Sequence, residues 1–399
     1  MAATLWDLIL LFRPLSDEEK VHLSNIRQIL DESSEENAQE ILRRIKKLLK
    51  QRRIGVAYSK LNISKVLADD DSFPEIFLTR EDDELKKEVQ EYNRIILDSF
   101  KKQLFDSLSD RAGILKEFIA PNIVGLDTEK EAVLLQLFAR EGVHILLLGD
   151  PGTGKTDILM SAAKLHPKSV FGLGSGTSGV GLGASVKGKK KIAGLLPQAD
   201  GGICCIDELN LMKQSDRAAL YNAMEKGFVT YDKGDQHFTM KARVRVLASA
   251  NPKGDKFAGK FVDTLKKQLP FDSALLTRFH LVFMIRKPDM RGFVEITRKI
   301  VRNDSKKLRD EDAEFIKEYV AYAEKVDVQF PKKFEKEVIN FVKEIKKDEK
   351  RYLIEISPRL VVGFMRMAKA SARLHLRDKV EKEDIEHVKD IVRTSLVVS

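Results

Sequence analysis

The stretch GDPGTGKT at residues 149–156 constrains the fold of this 399-residue chain more than any other segment. It follows the apolar run HILLLG, which predicts a buried strand, and it precedes a stretch whose periodicity predicts a helix from about Lys155. A strand, a glycine-rich turn and a helix in this order direct several backbone N–H groups and a helix N-terminus at one point, which suits a phosphate. The segment therefore predicts a nucleotide-binding α/β domain.

The same segment matches the pattern G-x-x-x-x-G-K-[ST] at every fixed position. In that pattern the Lys155 ammonium reaches the β- and γ-phosphates of ATP, and the Thr156 hydroxyl binds Mg²⁺. The glycines give the backbone the freedom to surround the phosphates. The residues expected to contact ATP are Gly149, Asp150, Pro151, Gly152, Thr153, Gly154, Lys155, Thr156 and Asp157.

Two further apolar runs end in polar residues that suit hydrolysis. Asp207 and Glu208 close the run ICCIDE, where Asp207 is expected to bind the Mg²⁺ and Glu208 to polarise the attacking water. Asn251 closes the run VRVLASAN and is expected to orient that water. Alone, an acid pair at a strand end or an Asn-Pro turn is ordinary. Their order after a phosphate loop predicts an ATP hydrolase.

Two arginines complete the set of candidate catalytic residues. Asp272 is expected to cap a short helix that places Arg278 just before the run LVFMI. Ser357 is a good N-cap and Pro358 suits the first helical position, so Arg359 falls in a first helical turn, where its charge opposes the helix dipole. This cost predicts a nearby anion. Phosphoryl-transfer enzymes use such guanidinium groups, often from a neighbouring subunit, although a solvated surface arginine remains the alternative for both.

The pattern of elements divides the chain into three regions. Residues 1–105 have helical periodicity and dense charge, which predicts a helical N-terminal domain. Residues 106–287 alternate strand-like and helical stretches, which predicts an α/β core with a parallel sheet. Residues 288–399 predict a smaller helical domain with helices at 291–303, 311–325, 332–347, 357–377 and 382–396.

Composition narrows the classes of function. The 70 Lys and Arg residues exceed the 61 Asp and Glu residues and leave a net charge of +9, which favours an acidic partner such as nucleic acid. Cys204 and Cys205 are adjacent in an apolar run, which excludes the paired C-x-x-C motifs of a zinc ribbon and predicts buried thiols. The longest apolar run is far shorter than the ~20 residues that cross a bilayer, so we expect a cytoplasmic protein without a membrane segment.

The order of the phosphate loop, DELNLM, SANP, LLTRF and SPRL resembles the AAA+ module of the minichromosome maintenance (MCM) replicative helicases. The similarity covers about residues 115–397 and ends with AKASARLHLRDKVEKEDI. It implies an AAA+ core with a helical lid, and ATP-driven DNA translocation or unwinding in a homo-oligomeric ring, usually a hexamer. It also implies that the nucleotide residues named above act within one subunit, while Arg278 and Arg359 act across the subunit interface.

This chain departs from the family pattern at several positions. The family commonly ends its phosphate loop in alanine-lysine-serine, has an acidic residue where His280 stands, and often has a histidine where Tyr221 stands. The roughly 115 residues before the module are too few for the full collar of helical subdomain, zinc ribbon and OB-fold of an MCM protein. The sequence therefore predicts a reduced or specialised homologue.

Two inserts carry candidate DNA-binding lysines. The glycine-rich segment around KGKKK places Lys187, Lys189, Lys190 and Lys191 on what the composition predicts to be a mobile loop. The segment FVTYDKGDQHFTMKARV alternates as a β-hairpin does, with Lys233 at its tip. The resemblance implies that these inserts are the helix-2 insert and the pre-sensor hairpin, which face single-stranded or forked DNA in the ring channel.

Two other classes of function stay open on the sequence. AAA+ remodelling ATPases of the MoxR and chelatase type share these inserts and act on protein complexes. An accessory MCM homologue with weak activity is the second alternative. The three classes differ in their ATPase response to DNA, because only the helicase is expected to be stimulated by it.

Overall fold

The computed structural model describes residues 102, 105–188, 190–233, 236–254, 256–288, 290–302 and 308–397. The predicted helical N-terminal domain lies outside these residues, apart from 102 and 105. Residues 112–308 and 316–397 belong to one compact unit, and 105–111 and 309–315 belong to another. The sheet and all the site residues lie in the first unit, while the domain boundaries drawn from the sequence stay a prediction.

A five-stranded parallel sheet forms the centre of this unit, with the strand order β2-β5-β8-β1-β9. Every residue of β1, β5, β8 and β9 is buried, as expected for a parallel sheet that is covered on both faces. This arrangement confirms the predicted α/β fold class. The strands are β1 Ile145–Gly149, β2 Ser169–Leu173, β5 Ile203–Asp207, β8 Arg245–Ala250 and β9 Leu281–Ile285.

Helices and two small hairpins surround the sheet. The core helices are α1 Asp127–Phe138, α2 Lys155–Leu165, α3 Gly179–Leu182, α4 Leu195–Gln198, α5 Ala218–Lys226, α6 Val262–Lys267 and α7 Ser273–Leu276. The helices of the C-terminal region are α8 Met290–Arg302, α9 Asp310–Ala323, α10 Glu335–Lys347, α11 Pro358–Leu374 and α12 Lys382–Leu396. The five C-terminal helices predicted from periodicity are therefore confirmed, with bounds that differ by at most three residues.

The first insert corrects the sequence prediction of a mobile loop. Lys187, Lys190 and Lys191 lie in a two-stranded antiparallel sheet formed by β3 Ala184–Lys187 and β4 Lys190–Ala193. Gly188 follows β3 and has a left-handed conformation with φ +63°. Glycine content and charge favour a loop, whereas the backbone pairing of these two segments forms two short strands.

The second insert forms the predicted hairpin. Its strands are β6 Phe228–Lys233 and β7 Gln236–Lys241, and Lys233 pairs with Gln236 at the end of the described ladder. The Tyr231 and Phe238 rings stack across the strands with centroids 5.1 Å apart. Lys233 is therefore the last residue of β6, at the end of the hairpin where the sequence predicted it.

The lid helix α11 packs closely on the start of β9. A Cβ atom at Gly363 would lie 2.6 Å from Cδ2 of His280, so only glycine allows this approach. The His280 ring is buried and accepts a hydrogen bond at Nδ1 from the His144 backbone N–H at 2.9 Å. Burial and the neighbouring His144 hold the pKa of His280 well below its usual range, so the ring is neutral and can accept. This contact holds the second turn of α11 against the start of β9.

Two expectations from composition concern the core and membranes. Cys204 and Cys205 are free and buried in β5, and burial raises the pKa of Cys204 to about 12, which confirms the prediction of buried thiols. None of the helices that the structure describes is both long and apolar enough to span a bilayer.

Candidate nucleotide site

The phosphate loop connects the carboxyl end of β1 to the first residue of α2. Gly149 lies against the backbone of β9, where a Cβ atom would collide with the carbonyl oxygen of Ile285. Gly152 and Gly154 have φ values of +76° and +85°, a region that residues with a side chain rarely adopt. The three glycines therefore shape the loop, while Pro151 and Thr153 lie between them. Each glycine is needed for this backbone path.

Lys155 is buried inside the loop, with 6% of its surface exposed. Its Nζ donates hydrogen bonds to the carbonyl oxygens of Gly149 at 2.9 Å and Asp150 at 2.7 Å. Burial lowers the pKa of Lys155 to about 8, although Asp207 and Asp150 act in the opposite direction. The amine is therefore still charged at neutral pH, and a phosphate next to it would offset the cost of desolvation.

Thr156 and Asp207 meet at the edge of the sheet. The Thr156 hydroxyl donates to Oδ2 of Asp207 at 2.8 Å, and Asp207 is buried. A hydroxyl and a carboxylate are the oxygen ligands that Mg²⁺ prefers when phosphates complete its shell. No group of three or more His, Cys, Asp or Glu residues is arranged for a metal in the described part of the chain. The pair therefore fits a Mg²⁺ that is bound together with a nucleotide.

Ser249 organises the acid pair. Its hydroxyl donates to Oδ1 of Asp207 and accepts a hydrogen bond from the Glu208 N–H at 3.0 Å. The Glu208 N–H also contacts Oδ1 of Asp207 at 3.1 Å. One buried hydroxyl on β8 thus fixes both the carboxylate and the backbone of the next acidic residue.

Glu208 has an unusual backbone conformation. Its φ of 52° and ψ of 44° lie in the left-handed region, which costs about 1–3 kcal/mol for a residue other than glycine. The Asp207 and Ser249 contacts maintain this conformation, and the side chain is half-buried. Strain that the surroundings enforce is common at active sites, which supports the prediction of a catalytic Glu208.

Asn251 follows β8, the strand that lies between β5 and β1 in the sheet. Its backbone N–H donates to Oδ1 of Asn210 at 3.0 Å, which connects it to the loop that follows Glu208. Ala250 pairs with Leu148 in register, so Asn251 begins beside the phosphate loop. The parallel sheet therefore brings together the three segments that the sequence predicted for the nucleotide.

The Asp150 side chain has a structural task within the loop. Its two carboxylate oxygens accept hydrogen bonds from the backbone N–H groups of Phe257 at 2.9 Å and Lys287 at 3.1 Å. Its predicted contact with ATP therefore falls to the backbone. Asp157 in α2 accepts a hydrogen bond from the Asn122 side chain at 2.9 Å.

Arg278 and Arg359 do not lie at the phosphate loop of their own chain. Asp272 caps α7 as predicted, with its carboxylate accepting from the Leu275 N–H at 2.9 Å, and Arg278 follows this helix. Ser357 occupies the N-cap position of α11 but makes no side-chain hydrogen bond, which corrects the expectation of a serine cap. The anion predicted near Arg359 is Glu225, whose Oε1 lies 2.9 Å from Nη2 of Arg359.

Both arginines lie at the edge of the sheet that is remote from the phosphate loop of the same chain. β9 runs parallel to β1, with Leu281 paired with Ile145, so the residues that precede β9 lie at the amino edge. The phosphate loop follows the carboxyl end of β1. Five residues of a parallel strand span about 16 Å. The structure therefore brings Arg278 and Arg359 together with each other and not with Lys155.

The candidate DNA-binding lysines are exposed on the hairpins. Lys187, Lys190 and Lys191 lie on β3 and β4, and Nζ of Lys191 is 4.7 Å from the centre of the Phe238 ring on β7. The two hairpins are therefore neighbours. Lys189 lies outside the described residues, and Lys233 is placed by its backbone pairing alone.

Sequence reasoning missed three residues of these sites: Ser249, Asn210 and Glu225. Ser249 belongs to the SANP stretch and stands two residues before Asn251, which was its only local signal. Asn210 belongs to the DELNLM stretch, whereas Glu225 gives no local signal, because its partners are distant in the chain.

The fold and the site define a P-loop nucleotide-binding protein of the AAA+ class, with a helical lid. The sequence profile of the MCM P-loop domain matches residues 101–303, and that of the MCM AAA-lid domain matches residues 314–396. The chain belongs to the MCM family.

Curated proteins of this family from plants, animals and archaea are similar to the chain. DNA replication licensing factor MCM4 of Arabidopsis thaliana is 31% identical over 333 residues, which cover 75% of this chain and 39% of that protein. DNA replication licensing factor mcm7-B of Xenopus laevis is 31% identical over 334 residues, which cover 76% of this chain and 45% of that protein. The minichromosome maintenance protein MCM of Saccharolobus solfataricus is 31% identical over 301 residues, which cover 70% of this chain and 44% of that protein. The chain thus spans less than half the length of these relatives.

The Ser249 contacts generate a prediction on stability. Ser249→Ala leaves the Glu208 N–H with one acceptor fewer and the buried Asp207 carboxylate with one donor fewer, so we expect the free energy of unfolding to fall by about 1–3 kcal/mol. Urea denaturation of the two proteins measures this change. Ser185→Ala, in the half-buried strand β3, is the control and should have an effect within about 0.5 kcal/mol. Equal stability of Ser249→Ala and the unchanged protein would contradict the role of this hydroxyl.

Proposed function

We propose that the chain is an MCM-type ATPase that hydrolyses ATP at sites shared between neighbouring copies in a ring, and that it couples hydrolysis to movement along DNA. The observation that carries this proposal is the position of Arg278 and Arg359 at the opposite edge of the sheet from their own phosphate loop. A second copy is the natural source of arginines for the first copy's nucleotide. The names of the relatives, which refer to DNA replication and minichromosome maintenance, support DNA as the substrate.

The residues at the carboxyl edge divide the chemistry. Lys155 binds the phosphates. Burial disfavours its charged form, and a bound phosphate offsets this cost. Thr156 and Asp207 hold Mg²⁺, which neutralises charge on the phosphate oxygens when it is bound. Glu208 accepts a proton from the attacking water, and Asn251 orients that water. Ser249 keeps Asp207 and Glu208 in place for these roles.

The arginines supply what this edge lacks. The transition state of phosphoryl transfer carries negative charge on its outer oxygens, and a guanidinium of a neighbouring subunit stabilises it. Each copy would give Arg278 and Arg359 to one neighbour and receive them from the other, so the interface is head-to-tail and closes into a ring. A homo-hexamer is the ring that the family resemblance favours.

The hairpins supply the contact with DNA. The lysines on β3 and β4 are exposed, and the Lys233 backbone places it at the turn of the second hairpin. Exposed lysines neutralise phosphates without reading bases, which suits a protein that moves along single-stranded or forked DNA. The net charge of +9 agrees with an acidic polymer as partner.

Mixing two inactive variants tests the shared site. Lys155→Ala removes phosphate binding and Arg278→Ala removes the donated arginine, so we expect each protein alone to be inactive. In randomly mixed rings roughly one interface in four has both residues intact, and ATPase activity should recover to about that fraction. The measurement is the ATPase rate of the mixture at equal concentrations, with subunit exchange verified by fluorescence energy transfer.

The matched control mixes Lys155→Ala with Glu208→Gln. Both residues belong to the same subunit's site, so no interface in this mixture is complete and no activity should return. The shared site would be refuted if the Lys155→Ala and Arg278→Ala mixture stayed inactive after its subunits had exchanged.

The hairpin generates a prediction on DNA. Lys233→Ala should bring the ratio of ATPase rates with and without single-stranded DNA down towards one, because this lysine grips the phosphate backbone. The slope of log affinity against log salt should fall by about 0.7 for each engaged lysine. Lys350→Ala, an exposed lysine of the lid, is the control and should keep the stimulation. Unchanged stimulation and unwinding in Lys233→Ala would favour the protein-remodelling class.

A further inference from the structure

Glu225 joins the two arginines that the proposed function assigns to the neighbouring subunit. It is an exposed residue near the end of α5. Its Oε2 accepts from Nη2 of Arg278 at 3.1 Å, and its Oε1 accepts from Nη2 of Arg359 at 2.9 Å. Each carboxylate oxygen thus serves one guanidinium. One side chain of the core therefore connects an arginine of the core with an arginine of the lid.

The other contacts of the two arginines are uncharged. The Arg278 guanidinium lies over the Tyr221 ring at 4.6 Å, and its Nη1 donates to the carbonyl oxygen of Ala274. Arg359 has a second and longer hydrogen bond, from Nη1 to the carbonyl oxygen of Thr277 at 3.4 Å. Within the described residues, Glu225 is the one carboxylate that forms an ion pair with either arginine.

Glu225 is the negative charge that balances two neighbouring guanidinium groups. Two guanidinium groups on one carboxylate are close enough to repel each other, and Arg359 also opposes the dipole of α11 from its first turn. The carboxylate offsets the repulsion and the unfavourable dipole. It also orients each guanidinium group, because each carboxylate oxygen accepts from one nitrogen. One positive charge remains in surplus, so the cluster still attracts a phosphate.

We propose that Glu225 is a positioning residue that holds Arg278 and Arg359 as a pair, oriented for the nucleotide of the neighbouring copy. This inference rests on the proposed function, in which both arginines act across the interface. Glu225 acts through the arginines and not on the nucleotide.

Steady-state kinetics of the full chain test this role. Glu225→Gln keeps the shape and loses the charge, and we expect it to lower kcat for ATP hydrolysis at least about tenfold while KM changes less than about twofold. The split arises because ATP binds through Lys155, whereas the arginines act on the reaction. Glu225→Asp keeps the charge on a shorter side chain and should restore part of kcat.

Glu141→Gln is the matched control. Glu141 forms an exposed ion pair with Arg366 of the same lid helix at 2.9 Å, and it connects core to lid without touching the arginine pair. We expect its kinetic constants to stay close to those of the unchanged protein. A loss of kcat in Glu141→Gln equal to that in Glu225→Gln would overturn the proposal, because any ion pair between core and lid would then suffice.

Variants of the arginines separate failure of this inference from failure of the proposed function. If Arg278→Ala and Arg359→Ala lower kcat and Glu225→Gln does not, Glu225 has no positioning role and the shared site still stands. If the arginine variants keep full activity, the proposed function fails and the inference fails with it. Adding Glu225→Gln to the Arg359→Ala variant should lower kcat by a smaller factor than Glu225→Gln does in the unchanged protein, because one of its two partners is already missing. An equal loss in both backgrounds would overturn the proposal, because Glu225 would then act independently of the pair.

Discussion

The common direction of the five central strands determines at which edge of the sheet the candidate nucleotide residues and Arg278 lie. Segments that follow strands gather at one edge of a parallel sheet, and segments that precede strands gather at the other. Lys155, Asp207 and Asn251 all follow strands, whereas Arg278 precedes one. In the proposed function, a single chain therefore presents half of a hydrolytic site at each edge, and a second copy joins the halves.

Each half is held by buried or shared polar contacts. At the carboxyl edge, the Ser249 hydroxyl bonds to Asp207 and Glu208, and this keeps Glu208 in its strained conformation. At the amino edge, Glu225 joins Arg278 and Arg359. In both places one side chain organises two other residues. In the proposed function, the chemistry therefore depends on residues that do not react.

Local patterns were sufficient for one part of the structure. The apolar runs predicted the buried strands, and the phosphate loop was predicted in full because its residues are contiguous and its glycines have a single backbone solution. The lid helices were predicted within three residues, because their periodicity is strong. Family membership followed from the order of these motifs.

The features that the sequence did not predict depend on tertiary contacts. Glu225 looked like an ordinary exposed residue, because Arg278 and Arg359 lie 53 and 134 positions further along the chain. Ser357 occupies the N-cap position of α11, but its side chain makes no capping hydrogen bond. The preference of serine for this position predicts where it stands and does not ensure that the hydrogen bond forms. The first insert was expected to be a loop because of its glycines and charges, and its backbone forms a short antiparallel pair of strands instead. Long-range partners of this kind leave no mark on a local pattern.

The dependence of ATPase rate on protein concentration tests most directly whether a second copy completes the site. The rate per chain is measured with Mg²⁺ and saturating ATP, from dilutions at which native mass measurement shows monomers up to those at which it shows assemblies. A shared site predicts a rate per chain that rises with concentration and levels off as assembly becomes complete. A rate per chain that stays constant down to the monomer would contradict it.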